Sequence, residues 1–250
     1  MRVGVLLIAA SSALCGACAT SHKHLDSRPW RESFAQFSKA PVQWVPTAVA
    51  LAATPILAGV DQSLSISSVE EKVFNTKARY GDEWSMGLGL APIAIGAAVG
   101  LTSGDSRFFE VATEATLLTA AQTQILKLAV NRQRPDRGGE DSFPSGHTSF
   151  AFGGATLLAR WWAYEHEGDS LGYLLYVPAA YVGVTRLEGE RHFLSDITFG
   201  AALGIFTAHM VWNAHFGDDE HPGLFGRHVD ARIVPVVSEE GVGIGLSISF

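Results

Sequence analysis

Residues 143–160 read FPSGHTSFAFGGATLLAR, a turn-forming cluster that runs directly into an apolar segment of helical length. Ser145 or a neighbour is expected at the N-terminus of this helix, where backbone N–H groups and a hydroxyl can bind an anion. Gly146 allows the backbone to approach such an anion closely, and His147 can donate a proton to it. Taken alone, the cluster is also typical of a helix N-cap with an incidental histidine.

Apolar segments of helical length make up most of the chain between residues 42 and 216. Clusters of Gly, Pro and polar residues separate them. The predicted helices are 42–60, 84–101, 107–130, 148–165, 171–186 and 196–216. We therefore predict an all-α fold, a bundle of about six helices over residues 42–216, with residues 21–41 as a linker in front of it.

Residues 217–250 are predicted to form a tail with a short β-hairpin. Val229–Val237 and Val242–Phe250 look like two strands joined at residues 238–241, and the second strand is apolar at every other position. One interpretation is a hairpin that packs on the bundle. The other is that the second strand resembles the closing strand of bacterial outer-membrane barrels, which one hairpin cannot build without association.

The first 20 residues have the pattern of an export signal. Arg2 is followed by the apolar run Val3–Ala10 and by small residues that end in Ala17-Cys18-Ala19. Cleavage after Ala19 is one route, and the other is a bacterial lipoprotein signal with Cys18 as the lipidated residue. Both cysteines of the chain lie in this leader. The leader predicts a protein of the bacterial cell envelope that is exported to the periplasm and associated with a membrane.

Composition limits the partners of this protein. The chain has 250 residues, 47% of them apolar, and a formal net charge of −7, so it lacks the basic face that nucleic-acid binding needs. Partners should be small or lipidic. Positive charge is nevertheless concentrated locally, at Lys127, Arg132, Arg134 and Arg137.

The helices differ in how well they could cross a bilayer. Only 42–60 and 84–103 are uncharged over nearly the roughly 20 residues that a span requires. The fourth predicted helix is interrupted by Arg160, and Lys and Arg are too evenly distributed to assign sides. We favour a membrane-attached helical bundle over a six-span protein, with a spanning enzyme as the alternative.

A first cluster of cations precedes the quoted stretch. Lys127 and Arg134 are seven residues apart, so they leave one face if the third helix extends that far. Arg134 offers a planar fork to two oxygens and Lys127 a compact charge. The pair suits an oxyanion, and a structural ion pair is the alternative for either residue alone.

A third cluster follows at Arg186, His192 and Asp196. Four residues separate His192 from Asp196, so on one helix the carboxylate could hold one ring nitrogen and leave the other as a nucleophile. A lone pair of this kind is more often a surface contact. Together with the two other clusters, the functional interpretation is favoured.

In order and internal spacing, the three clusters resemble the signature of the type 2 phosphatidic acid phosphatase and vanadium-dependent haloperoxidase superfamily. The resemblance covers Lys127 to Asp196 by motif and residues 84–216 by helical layout. Thr185 stands where the family usually has Ser, and it keeps the hydroxyl.

The resemblance implies a metal-independent phosphatase on a helical bundle. His192 would attack phosphorus to give a phosphohistidine, Asp196 would orient its ring, and His147 would protonate the leaving oxygen and later activate water. The groups implied to bind the phosphate are Lys127, Arg134, Ser145, Gly146 and Arg186. No metal or other cofactor is implied, although vanadate or phosphate can occupy such a site.

Three functions agree with this resemblance. The first is hydrolysis of a phosphorylated lipid, such as phosphatidic acid, phosphatidylglycerophosphate, an isoprenyl diphosphate or lipid A phosphate. The second is a secreted nonspecific acid phosphatase for soluble phosphomonoesters, and the third is a vanadate-dependent haloperoxidase. The apolar helices favour the first, with the membrane as a further partner.

Overall fold

Six α-helices form the part of the chain that carries the predicted clusters. The computed structural model describes residues 41–70, 78–166, 169–216, 230–238 and 241–249. The helices are α1 (Pro41–Glu70), α2 (Ala78–Ser103), α3 (Arg107–Val130), α4 (Gly146–Glu165), α5 (Tyr176–Glu188) and α6 (Leu194–Phe216). The predicted all-α bundle is thus confirmed. The export signal and Cys18 lie outside the described residues, as does the linker apart from residue 41.

Three helix boundaries differ from the prediction by more than two residues. Helix α1 continues to Glu70 instead of ending at 60, and α2 begins at Ala78 instead of 84. The fifth segment begins as a 3-10 turn, Leu171–Leu175, before α5. The added residues at the end of α1 and the start of α2 are mostly polar or small. Hydropathy alone therefore placed both boundaries too close to the apolar centre of each helix.

Successive helices run in alternating directions. Helix α4 packs against α2, α3 and α6, and α6 packs against α1 and α3. Arg132, just beyond α3, contacts Asp61 in the C-terminal half of α1 and Asp196 in the first turn of α6. Arg186, in the last turn of α5, contacts Asp82 near the start of α2. The C-terminal parts of α1, α3 and α5 therefore meet the N-terminal ends of α2, α4 and α6 at one end of the bundle.

The opposite end of the bundle is held together by aromatic side chains. Phe108 at the start of α3 stacks on Trp161 with ring centroids 4.4 Å apart, and Trp212 stacks on Phe216 at 4.3 Å near the end of α6. Burying side chains of this size contributes about 1.5–3 kcal/mol each. This apolar end stabilises the bundle, so the other end can carry polar groups.

Helices α4 and α6 approach each other closely because small residues line their contact. A Cβ atom at Gly204 would lie 2.2 Å from the Ser149 carbonyl oxygen, and one at Gly200 would lie 2.6 Å from the Ser145 carbonyl oxygen. The close approach lets the Ser145 N–H donate to the Asp196 carbonyl oxygen at 3.1 Å. The N-terminus of α4 is thereby joined to the first turn of α6.

Among the residues that the structure describes, three helices are long and apolar enough to cross a membrane: Trp44–Gln62, Tyr80–Ser103 and Leu194–Phe216. The third adds to the two expected from the sequence, and 72% of it is buried inside the bundle, against 11% and 28% for the first two. Large apolar side chains are exposed along α1 and α2, namely Val45, Val49, Ile56, Val60, Met86, Leu90, Ile95 and Leu101. The exposed faces of α1 and α2 thus form a large part of the apolar surface of the described bundle, to which α3 adds Leu117, Ile125 and Leu128. That these helices span a membrane stays a prediction.

Two strands follow near the end of the chain. β1 (Asp230–Ser238) pairs antiparallel with β2 (Gly241–Ser249), and the register places Asp230 opposite Ser249 and Ser238 opposite Gly241. The sequence placed each strand one residue away from these bounds. Both interpretations of the tail, packing on the bundle and association at a membrane, stay predictions.

Candidate active site

The first cluster lies where α3 ends. Asn131 adopts a left-handed conformation (φ 49°) and its N–H donates to the Lys127 carbonyl oxygen, which ends the helix before Arg134. The condition under which Lys127 and Arg134 would share one helical face, that the third helix extends to Arg134, is therefore not met. They meet through Asp141 instead, whose carboxylate lies 2.8 Å from the Arg134 guanidinium and 3.7 Å from Lys127 Nζ. Lys127 also donates to the Asp141 carbonyl oxygen.

The second cluster forms the start of α4. Ser145 is the N-cap residue and has an extended backbone, but its hydroxyl pairs with the Thr148 hydroxyl at 2.9 Å and makes no capping bond. A Cβ atom at Gly146 would lie 3.3 Å from Thr123 Cγ2 and 3.9 Å from Lys127 Cε. Gly146 therefore brings the start of α4 against the lysine of the first cluster.

His147 and Arg186 meet at one carboxylate oxygen. Asp82 Oδ1 lies 2.9 Å from His147 Nε2 and 2.6 Å from Arg186 Nη1. Arg186 is almost fully buried, whereas the His147 and Asp82 side chains are 43% and 51% exposed. The site thus has a buried cation and an accessible imidazole side by side.

Thr185 supports the guanidinium next to it. Its hydroxyl donates to the Val182 carbonyl oxygen at 2.7 Å and accepts from Arg186 Nε at 3.3 Å. Both contacts need a hydroxyl and no more. The Thr at this position therefore keeps the interactions that a Ser would make.

His192 lies on the loop between α5 and α6 and is buried. Its Nδ1 is 2.6 Å from the Ser142 carbonyl oxygen. Since a carbonyl oxygen can only accept, Nδ1 carries the proton and Nε2 keeps a lone pair. Ser142, which the sequence analysis missed, therefore sets the tautomer of the predicted nucleophile.

The predicted contact between Asp196 and the His192 ring is wrong. Helix α6 begins at Leu194, so the two residues are not on one helix and the four-residue spacing does not bring them together. The Asp196 carboxylate accepts from Ser142 Oγ at 2.5 Å, from the Phe193 N–H at 2.9 Å and from Arg132 at 2.6 Å. Asp196 therefore acts on His192 only indirectly, by holding Ser142.

The end of the bundle thus brings together all the predicted catalytic and phosphate-binding residues. The contacts Ser145–Asp196 and Gly146–Lys127 and the shared carboxylates join the three clusters into one pocket. The residues that the sequence analysis did not assign are Asp61, Asp82, Arg132, Asp141 and Ser142. Arg132 was visible only as part of the basic run. Asp61, Asp82 and Ser142 gave no sequence signal because their partners are distant along the chain. Asp141 lies only seven residues from Arg134, but no motif marked it.

The electrostatics of the pocket disfavour protonated histidine. Burial, and next the charge of Lys127, lowers the pKa of His192 to about 3. Burial, and next Arg186, also lowers the pKa of His147, while the Asp82 carboxylate acts in the opposite direction. His192 is therefore neutral at physiological pH, as a nucleophile must be. A phosphate dianion beside these cations would raise the His147 pKa.

Positive charge in the pocket comes from side chains. Within the described ranges, no three His, Cys, Asp or Glu side chains are placed to hold a metal ion together. Lys127, Arg134 and Arg186 can instead neutralise an oxyanion. Metal-independent chemistry stays a prediction.

Fold and site together define a helical bundle with an oxyanion pocket and two histidines at one end. Residues 111–219 match the model of the PAP2 superfamily. The match therefore identifies a PAP2 superfamily domain in residues 111–219, which contain all three clusters.

Several named proteins are similar to this chain. The lipid A 1-phosphatase of Porphyromonas gingivalis is 37% identical over 86 residues, which are 34% of this chain and 18% of that protein. Lipid phosphate phosphatase 1 of Arabidopsis thaliana is 26% identical over 168 residues, 50% of this chain and 51% of the relative. The probable diacylglycerol pyrophosphate phosphatase 1 of Schizosaccharomyces pombe is 34% identical over 101 residues, 37% and 36% of the two chains. The chain thus spans about half or less of the length of these relatives.

One solved structure is also similar. It is the crystal structure of a transmembrane PAP2 type phosphatidylglycerolphosphate phosphatase from Bacillus subtilis, with a TM-score of 0.48 and 20% identity. The similarity covers 72% of this chain and 94% of that one.

Proposed function

We propose that this protein is a phosphatase that removes phosphate from a phosphorylated lipid through a phosphohistidine intermediate. One observation carries the proposal: the buried imidazole of His192 has its Nδ1 proton bound to the Ser142 carbonyl oxygen and faces a cluster of cations. A neutral nucleophile beside fixed positive charge is what phosphoryl transfer requires.

The pocket supplies each step of such a reaction. His192 Nε2 attacks phosphorus and forms the P–N bond while the P–O bond to the alcohol breaks. His147, on the accessible side of the pocket, gives its proton to the departing oxygen. It then takes a proton from the water that cleaves the P–N bond, which releases phosphate and restores both histidines.

The phosphate oxygens are held by charge and by backbone donors. Lys127 and Arg134 would bind from the α3 side and Arg186 from the α5 side, where they now contact Asp141 and Asp82. The N-terminus of α4 adds N–H donors from Gly146 onward, while the Ser145 N–H is bonded to the Asp196 carbonyl oxygen. These groups stabilise the negative charge of the transition state, and the proposed mechanism needs neither a metal nor another cofactor.

A lipid substrate agrees with the apolar surface of the bundle and with the relatives. Helices α1 and α2 expose apolar side chains along their length, and both also contribute a carboxylate to the pocket region. The P. gingivalis, A. thaliana and S. pombe relatives are each named for a phosphorylated lipid substrate. Phosphatidic acid, phosphatidylglycerophosphate, isoprenyl diphosphate and lipid A phosphate are the candidates, and the membrane is the place of reaction.

Phosphate release from a panel of lipid and soluble substrates tests the proposal. We expect the purified protein to hydrolyse at least one lipid phosphate in detergent, and H192A to lose activity by at least about a thousandfold. H166A is the matched control, because His166 lies at the far end of α4 and contacts Trp162. Near-wild-type turnover by H192A would remove the nucleophile. Equal efficiency on a soluble monoester would contradict the lipid assignment and favour a nonspecific phosphatase.

A further inference from the structure

We propose that Asp61 on α1 is a positioning residue for His192 and acts through Arg132, Asp196 and Ser142. The inference rests on the proposed function, because it assigns His192 as the nucleophile. Helix α1 lies outside residues 111–219, which match the PAP2 model. The proposal therefore extends the catalytic unit to a helix beyond the matched domain.

Asp61 is a buried carboxylate with several donors. It accepts from Arg132 Nη2 at 2.8 Å, from the Ser195 N–H at 3.1 Å and from the Ser195 hydroxyl. A buried charge is costly unless it is paired and hydrogen-bonded. These donors compensate it and fix its position against the start of α6.

Arg132 connects Asp61 to the carboxylate of Asp196. Its Nη1 donates to Asp196 Oδ1 at 2.6 Å and to Ser195 Oγ at 2.7 Å. Its guanidinium also lies over the ring of Phe193, 4.3 Å from the ring centroid. Phe193 directly follows the predicted nucleophile, His192, in the sequence. One guanidinium is thus shared by two carboxylates, and both hold it in one orientation.

Ser142 passes this orientation to His192. The Ser142 N–H donates to the Arg132 carbonyl oxygen at 2.9 Å, and its hydroxyl donates to Asp196 at 2.5 Å. Because the Ser142 N–H and hydroxyl are both held by these bonds, the Ser142 carbonyl oxygen is oriented toward His192 Nδ1. Loss of the Asp61 charge would loosen Arg132 and then the carbonyl that aims the imidazole, without removing any group that touches the phosphate.

The D61N variant tests this chain of contacts. Asparagine keeps the shape but removes the charge, so we expect kcat to fall about tenfold or more while KM changes less than about twofold. T207V is the matched control, because it removes a buried hydrogen bond from Thr207 to Gln122 in α3, away from His192. T207V is expected to lose stability and keep its kcat. Wild-type kcat in D61N, or a change confined to KM, would overturn the proposal.

A double-mutant cycle with S142A separates positioning from general loosening. If Asp61 acts through Ser142, the D61N/S142A double variant should have about the kcat of the slower single variant, because both substitutions interrupt the same series of contacts. Additive losses in kcat would contradict the proposal. If D61N does not fold, R132K repeats the test, because lysine keeps the charge but lacks the planar guanidinium that contacts Asp61 and Asp196 together, and an unchanged kcat in R132K would also overturn the proposal.

Failure of this inference is distinct from failure of the proposed function. If wild type releases no phosphate from any substrate, the proposed function fails, and the His192 Nδ1 proton signal in NMR spectra still reports on Asp61. That signal should shift in D61N and stay in place in T207V. An active wild type with an equally active D61N overturns the role of Asp61 alone.

Discussion

At the scale of single residues, His192 is held by a main-chain carbonyl where a carboxylate was expected. His192 Nδ1–H donates a hydrogen bond to the Ser142 carbonyl oxygen, and Asp196 contacts Ser142 rather than the imidazole itself. A neutral acceptor does not favour imidazolium as strongly as a carboxylate would. The arrangement therefore favours a neutral ring, which the proposed attack on phosphorus requires.

Asp82 should control the pH range in which His147 can donate its proton. Its carboxylate contacts His147 Nε2 and opposes the lowering of the His147 pKa by burial and Arg186. In D82N this opposition is lost, so the His147 pKa falls further and less of the residue is protonated at neutral pH. We expect the alkaline limb of the kcat/KM profile to move to lower pH.

The pH profile of D82N is best compared with that of D105N. Asp105 pairs with Arg107 at the far end of the bundle, so the same chemical change should leave the profile in place. A shift of the D82N alkaline limb to higher pH, or no shift, would contradict this role of Asp82.

At the scale of elements, the positions at which the helices begin and end determine where the side chains of the site lie. Helix α3 ends before Arg134 and α6 begins after His192, so both functional side chains lie on loops. The close contact between α4 and α6 then fixes these loops relative to each other. Interhelical packing, rather than sequence spacing, sets the distances in the pocket.

G204A should separate α4 from α6. The new Cβ atom would lie 2.2 Å from the Ser149 carbonyl oxygen and 2.8 Å from the Gly153 nitrogen, which are backbone atoms that cannot move aside easily. Overpacking of this kind costs about 1–3 kcal/mol. We expect a lower free energy of unfolding and lower activity, because the contact between Ser145 and Asp196 loosens.

G87A is the matched control for G204A. No atom lies within 4 Å of a Cβ at Gly87, and alanine favours helix over glycine by about 1 kcal/mol. The control should unfold at an equal or higher denaturant concentration. A G204A protein as stable and active as wild type would show that the two helices can repack.

The sequence predicted the helices and the three clusters but not the contacts between them. Apolar runs broken by Gly and Pro give six helices without knowledge of their neighbours, which is why this part is confirmed. The partners Asp61 and Asp82 lie on α1 and α2, about 70 and 100 residues from the arginines they bind. A single sequence does not show which helices pack together, so these carboxylates were not predictable.

At the scale of the whole molecule, the two helices with exposed apolar faces, α1 and α2, also reach the pocket through Asp61 and Asp82. The pocket is at one end of the bundle, and the exposed faces of α1 and α2 extend away from it. The span-capable part of α1 ends beside Asp61, and that of α2 begins beside Asp82. A bilayer that covered these faces would have its surface at the level of the pocket.

Activity should therefore depend on the surface concentration of the substrate. In mixed micelles, we expect the rate to follow the mole fraction of lipid phosphate in the micelle and to fall when neutral detergent is added at constant bulk concentration. A soluble phosphomonoester provides the control, since dilution of the micelle surface should not affect its hydrolysis. A lipid rate that follows only bulk concentration would contradict attachment of the enzyme to the substrate surface.

The half-exposed carboxylates of Asp141 and Asp82 occupy the cations to which phosphate is proposed to bind, so phosphate would have to replace them. Asp141 contacts Lys127 and Arg134, and Asp82 contacts Arg186 and His147, so the cations already have anionic partners within the chain. A phosphate that binds has to take these contacts over, and the released carboxylates turn to water a few ångströms away. The free energy gained from the new contacts between phosphate and the cations is therefore largely offset by the loss of the contacts with Asp141 and Asp82. The pocket should thus retain phosphate weakly once it is free, which favours release of the product.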